Sequence, residues 1–195
     1  MPYVEPIALT GLHVVLEPLA LSHLAGLQAA CADGALWKLW YTSVPEPEKM
    51  AENIAFRLGK QREGSMMPFV VKRVEDGRVV GATTFCNIVA EQRRVEIGYT
   101  WYAQSAQRSA LNTEAKLLML THAFEQVQCV AVEFRTHWMN QQCRAAFERL
   151  GAKLDGVLRS HIGRHGELRD TCVYSILATE WPTVKLHLQQ RLAAR

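Results

Sequence analysis

Residues 96–116 read EIGYTWYAQSAQRSALNTEAK, the pattern of a strand, a tight loop and the start of a helix. A strand predicted from Val95 to Tyr102 carries an acidic residue, Glu96, inside it. A short polar loop follows, Ala103 to Ser109, and a helix then opens with Asn112, Thr113 and Glu114. The first amides of a helix have no internal partner, and the macrodipole adds positive potential there. Strand, tight loop and helix N-terminus therefore make an arrangement that binds phosphate. Arg108 lies in the loop, where its guanidinium can pair with a phosphate in a charge-assisted contact.

Upstream of this stretch, His13 to Leu19 is a short β-branched run stopped by Pro18 and predicts a first strand. Ser22 is placed to cap a helix that runs to about Ala32 and ends at Asp33-Gly34. Leu36 to Pro47 reads as a loop anchored by Trp37, Trp40 and Tyr41. Glu48 to Glu63 reads as a second helix, with Met50, Ile54 and Leu58 at helical spacing and Gly64 as its stop. Pro68–Val74 and Val79–Val89 are strands joined across Asp76-Gly77, a strong hairpin signal.

Downstream, Leu111 to Gln126 is a helix whose middle, LLML, is apolar and hence buried. Cys129 to Arg135 alternates as a strand, and Asn140 to Leu150 is a helix that Asn140 can cap and Gly151 ends. Strands at about 152–162 and 169–178 flank the turn Arg164-His165-Gly166-Glu167, and Thr183 to Leu192 makes a closing helix. The order β-α-α-β-β-β-α-β-α-β-β puts antiparallel strands first and β-α-β crossovers after them. That order implies an α/β (α+β) mixed sheet with helices on both faces, in a single domain over residues 1–195.

Hydrophobic and charged fractions of 49% and 21% are those of an ordinary globular chain, and 195 residues suffice for one sizeable core. A net charge of +3, with no dense Lys/Arg block, gives no reason to expect a nucleic-acid partner. The five cysteines, at 31, 86, 129, 143 and 172, are odd in number and include no CxxC pair, which argues against a zinc site or a disulfide framework. The N-terminal residues do not form a signal peptide, and no apolar run is long enough to span a bilayer. A reduced, cytoplasmic protein with no metal and no membrane contact is the expectation.

Several motifs then fall into a familiar order. They are Glu96-Ile97-Gly98-Tyr99, Asn112-Thr113-Glu114-Ala115-Lys116, Asn140-Gln141-Gln142-Cys143 and Glu148-Arg149-Leu150-Gly151-Ala152. Arg169-Asp170, Tyr174-Ser175-Ile176-Leu177 and Glu180-Trp181-Pro182 follow. Over roughly residues 8 to 182 the chain resembles the GNAT superfamily of N-acetyltransferases, most closely its RimJ/RimL-type branch. The family's phosphate signature, Q/R-x-x-G-x-G/A, aligns with Gln107-Arg108-Ser109-Ala110-Leu111-Asn112, where only Gln107 matches strictly. The resemblance implies a mostly antiparallel sheet of about seven strands, acetyl-CoA as donor, and a primary amine as acceptor. Homodimers are common among similar proteins.

Carried onto this chain, the resemblance implies that amides from Arg108 to Thr113, including those of Ser109, Ala110, Leu111 and Asn112, cradle the CoA pyrophosphate. Gln107, Asn140 and Phe147 would complete the CoA site. The strand near Trp101 and Tyr102 would pair with the pantetheine arm as an added strand would, one of its amides polarising the acetyl carbonyl. Trp37, Trp40 and Tyr41, with His137 and His161, would line the acceptor site, and Arg164 and His165 lie at the same hairpin as His161. Two departures stand out. Ala110 replaces the family glycine: a methyl group at positive φ would cost about 1–2 kcal/mol, whereas at negative φ Ala is still small enough for close backbone approach, so a loop that binds pyrophosphate somewhat less freely is expected. Phe147 replaces the tyrosine that in many relatives protonates the departing thiolate, and Cys143 stands where the branch has serine.

Glu96 is the first candidate for general base, through water, because desolvation in an apolar strand raises a carboxyl's pKa. A structural carboxylate bonded to a neighbouring strand is the alternative. Glu133 and His137 are further candidates. Cys143 can serve as the thiolate's acid, since a thiol titrates near the leaving group, or simply as a small apolar helix residue. Three functions follow: acetylation of a protein or peptide α-amine, acetylation of a small amine, or CoA binding with little turnover. The loop 35–47 pairs one acidic residue, Glu46, with one lysine, Lys38, which speaks against strongly cationic acceptors.

Overall fold

The strand predicted at 95–102 runs from Arg94 to Tyr102 and lies well inside the sheet. A computed structural model describes residues 3–42, 44–161 and 168–194. Its strands are β1 (Leu9–Thr10), β2 (Val14–Pro18), β3 (Met67–Arg73), β4 (Val79–Val89), β5 (Arg94–Tyr102), β6 (Ala131–His137), β7 (Lys153–His161) and β8 (Arg169–Leu177). They form one eight-stranded sheet in the order β1-β2-β3-β4-β5-β6-β8-β7. Every pairing is antiparallel except β5 with β6. The mixed, mostly antiparallel α/β architecture is as expected, and β1, a two-residue strand too short to show a period, is the addition.

The helices are α1 (Leu24–Ala32), α2 (Met50–Arg62), α3 (Leu111–Thr121), α4 (Gln141–Leu150) and α5 (Trp181–Ala193). Adjacent strand residues point to opposite faces, and two threonines on β4 assign the layers. Thr84 meets Arg57 of α2, whereas Thr83 meets Met119 and Lys116 of α3. Phe134 of β6 packs on Phe147 of α4, on the same side as α3. So α1 and α2, packed on each other, cover one face, and α3, α4 and α5 cover the other.

Local chemistry sets the ends of these elements. Ser22 does not cap α1; a 3-10 turn, Leu21–His23, precedes it, and His23 Nδ1 accepts the Ala20 amide at 3.1 Å. Gly64 and Gly151 end α2 and α4 at φ +76° and +94°, the left-handed region glycine occupies freely. β6 begins two residues later than the alternation suggests. The reason lies in α3, which continues as a π turn through Gln126, so the Cys129 amide bonds back to Ala123 O and ends the helix rather than starting the strand. The turn Arg164–Glu167 lies outside the described residues.

Glu114 pins α3 to the sheet edge. Its buried carboxylate accepts the amides of Leu12, His13 and Val14 at 2.9, 2.7 and 2.8 Å. Glu114→Ala is expected to lower the unfolding free energy by about 3 kcal/mol, because three amides lose a charged acceptor. Urea denaturation checks this, with a lower midpoint at unchanged slope as the expected result.

Candidate active site

β5 and β6 part company in mid-sheet. Their parallel pairing covers Arg94↔Ala131, Val95↔Val132 and Glu96↔Glu133 only, although β5 continues to Tyr102 and β6 to His137. A register shift between β4 and β5, with Tyr99 at φ +51°, bends β5 away from β6. The result is a slot through the sheet, with one edge of β5 from Ile97 to Tyr102 open for hydrogen bonding.

The slot's far end is the start of α3. The amides of Arg108, Ser109, Ala110, Asn112 and Thr113 have no acceptor among the described residues. Gln107 Nε2 donates to Tyr102 O at 3.0 Å, and Ser109 Oγ donates to Ala106 O at 2.6 Å, so the loop is tied to the strand that feeds it. Ala110 sits at φ −67°, ordinary helical backbone, so its methyl group carries no strain. The left-handed residue is Arg108 instead, at φ +58°. Three buried polar atoms here also lack a hydrogen-bond partner among the described residues: Trp101 Nε1, Tyr102 Oη and Asn112 Oδ1. Free amides and orphaned donors around one strand–loop–helix suit a long phosphorylated ligand with an amide-bearing arm.

On the α1/α2 face of the slot lies a charged cluster. Glu96 is buried, at 8% exposure. It accepts Asn87 Nδ2 at 2.7 Å and lies 3.4 Å from Arg135 Nε. Asn87, at φ +45°, is the extra residue of a second β4 bulge, which aims its side chain at the carboxylate. Gly98 leaves the room: a Cβ there would lie 2.9 Å from Cys86 Sγ and 3.0 Å from Glu96 Oε1. Burial pushes the Glu96 carboxyl above its ordinary range, against the pull of Asn87 and Arg135. Glu133 differs. Burial would raise it too, but hydrogen bonds from Arg94 at 2.7 Å and Arg135 at 3.0 Å outweigh that and hold it low. Of the two carboxylates, only Glu96 is tuned toward taking a proton.

The expected acceptor residues converge only in part. Trp40, 66% exposed, packs edge-on against His137 with ring centroids 4.9 Å apart, and Tyr41 packs on Trp40 at 5.5 Å. His137 Nδ1 accepts the Met139 amide at 3.0 Å, so that nitrogen serves the turn after β6. His161 lies beside Thr171 on β8, which pairs with His137 on β6. Trp37 is half-buried on the 3-10 turn Leu36–Lys38 and joins none of these ring contacts. Arg164 and His165 lie outside the described residues.

On the α3/α4 face, Asn140 Oδ1 caps α4 by accepting the Cys143 amide at 3.0 Å. Cys143 is half-buried, and burial raises its thiol's pKa against a hydrogen bond with Thr136 and the nearby charge of Lys116. Phe147 is core, between Phe134 and Tyr174. Lys116, to which the sequence motifs assign no role, is 3% exposed on the inward side of α3. Its Nζ donates to Thr100 Oγ1 at 3.0 Å and to Thr83 Oγ1 at 3.4 Å. The signal was present, since Lys116 shares the helical stripe of Met119 and Leu120, where a charge is out of place.

Among the described residues no group of His, Cys, Asp or Glu could hold a metal ion, and no helix is long and apolar enough to cross a membrane.

A slot between splayed parallel strands, ending on free amides at a helix start, suits a long ligand with phosphate at one end. The chain belongs to the GNAT acetyltransferase family, whose domain matches residues 13–153, and is an acetyltransferase of that type. One relative is YdaF of Bacillus subtilis (strain 168), a provisionally assigned ribosomal N-acetyltransferase, 31% identical over 106 residues. That match spans 54% of this chain and 57% of the relative, little more than half of its length. A structure from T. thermophilus, provisionally assigned as an acetyltransferase, is 32% identical, covers 97% of this chain and 98% of its own, and superposes with a TM-score of 0.84. A GCN5-related N-acetyltransferase from Brucella melitensis is 27% identical over 98% of this chain and 87% of its own, with a TM-score of 0.87.

Proposed function

We propose that this chain transfers the acetyl group of acetyl-CoA to the N-terminal α-amine of a protein or peptide, by direct attack in a ternary complex in the cytoplasm. The observation that carries the reading is the end of β5–β6 pairing at Glu96↔Glu133. It opens the edge of β5 to the pantetheine arm along a line that ends at the free amides of Arg108, Ser109, Ala110, Asn112 and Thr113. Ser109, Ala110, Leu111 and Asn112 lie along that cradle, Gln107 fixes it, and Trp101 and Tyr102 flank the arm. An amide on the open edge polarises the thioester carbonyl. Glu96, across the sheet from α3, takes the amine's proton through water, and Trp40, Tyr41 and His137 form the acceptor wall.

Two observations favour a protein or peptide acceptor. The acceptor side carries exposed aromatic surface at Trp40, suited to a chain laid across it. The carboxylates there are matched by Arg94 and Arg135, which disfavours a polycation. The ribosomal assignment of YdaF points the same way. Calorimetry with acetyl-CoA, paired with thiol release over a panel of peptides and small amines, tests the reading. Release with peptides bearing a free N-terminus, and none with N-terminally blocked peptides, is expected. Release only with small amines would move the acceptor, CoA binding without any release would favour a binding module, and no CoA binding would overturn the donor assignment.

A further inference from the structure

Lys116 is a charge in a place that does not need one. Its ammonium is buried between α3 and the sheet, and among the described residues no carboxylate lies within ion-pairing distance. Its contacts are two neutral hydroxyls, Thr83 on β4 and Thr100 on β5. The ionisable groups near enough to act on it are thiols, Cys143 on α4 and Cys86 on β4. An ammonium desolvated without a counter-charge is costly. A methionine or leucine would fill the same stripe on α3 without that cost.

The position gives the charge a use. Thr100 belongs to the part of β5 that has lost β6 as a neighbour, so Lys116 Nζ lies one hydroxyl away from the slot, on the face shared by α3 and α4. Glu96 is on the opposite face. Building on the proposed donor, we infer that Lys116 supplies the proton of the departing thiolate: acting through the Thr100 hydroxyl, its ammonium faces the sulfur of CoA and protonates it. In the step, the acceptor nitrogen bonds to the acetyl carbon and the carbon–sulfur bond breaks, its electron pair staying on sulfur. The Thr100 hydroxyl gives its proton to sulfur and takes one from Nζ, leaving neutral lysine and CoA thiol, and solvent reprotonates the lysine as CoA departs. The acceptor's own proton leaves on the other face through Glu96. Phe147 cannot supply this proton, and burial makes Cys143 hold its own more tightly. Lys116, with its pKa lowered to about 8 by desolvation, is matched to a thiol leaving group.

Direct titration of bound CoA tests the assignment without turnover. Thiolate absorbance, followed against pH on the CoA complex, should place the bound thiol's ionisation at least tenfold lower in proton affinity in the parent than in Lys116→Met. An ammonium beside the sulfur stabilises its anion. Turnover should fall in Lys116→Met while acetyl-CoA affinity, by calorimetry, stays within about threefold. Thr100→Val, which removes the hydroxyl that aims Nζ, should reproduce part of both effects. Identical thiol titration in the parent and Lys116→Met would overturn the role of Lys116 while leaving the donor assignment standing. Absence of CoA binding to the parent would overturn both. If Lys116→Met does not fold, unchanged thiol titration in Thr100→Val overturns the assignment alone.

Discussion

Glu96→Gln is expected to lower kcat/KM at least about tenfold, and on the order of 10²-fold if the carboxylate acts as general base, with acetyl-CoA affinity retained. Gln keeps a carbonyl to accept the Asn87 hydrogen bond, so the bulge that supports the site survives. The pH dependence gives an independent mark. A base works as its anion, and burial raises this carboxyl above 4.5. The acid limb of the parent's kcat/KM should therefore lie above the ordinary carboxylate range, and the variant should lack it. Stability carries the same sign. The folded state holds this proton more tightly than the unfolded state, so stability falls as pH rises through the carboxyl's titration. The variant should then match the parent at low pH and gain on it toward neutrality. Turnover equal to the parent's across the pH range would make Glu96 structural.

Lys116→Met is expected to raise the unfolding free energy at pH 7 by about 2–3 kcal/mol. A fall in pKa from 10.5 to about 8 on burial corresponds to roughly 3 kcal/mol against the charged form. The sign follows from the proton count. Between pH 8 and 10.5 the unfolded chain binds this proton and the folded one does not, so the parent's stability rises with pH in that window. The gain from Met should thus be full below about pH 8, shrink above it, and vanish beyond about 10.5. Denaturant melts of both proteins at pH 7 and at high pH decide it. A variant less stable than the parent at pH 7 would mean that the contacts with Thr83 and Thr100 outweigh desolvation. A more stable and less active Lys116→Met is the pattern of a residue kept for its chemistry.

Much of the molecule was legible because its signals are local. Gly64 and Gly151 read as helix ends because only a residue without Cβ reaches φ above +70° freely. Asn140 read as a cap because its side chain can accept an amide three residues on. The strand–loop–helix at 96–116 read as an anion site because unpaired amides at a helix start follow from helix geometry itself. Ala110 shows the limit of such reasoning. The aligned motif leaves the φ of position 110 open between positive and negative, and the loop takes its left-handed turn at Arg108 with Ala110 at negative φ. That choice depends on how the loop closes on Tyr102 through Gln107, a contact between side chain and strand.

The larger strands and helices, the unpaired amides at the start of α3 and the acidic residue in the strand before it are written in the sequence. Those properties reside in periodicity, turn chemistry and the backbone's own hydrogen-bonding needs. Tertiary packing sets where β5 and β6 separate, and it raises Glu96 while Glu133 is held low. It also decided that Trp40 meets His137 and that a lysine is buried beside the slot without a carboxylate. Each of these depends on which distant residues are brought together, because desolvation and pairing are set by neighbours in space and not by neighbours along the chain.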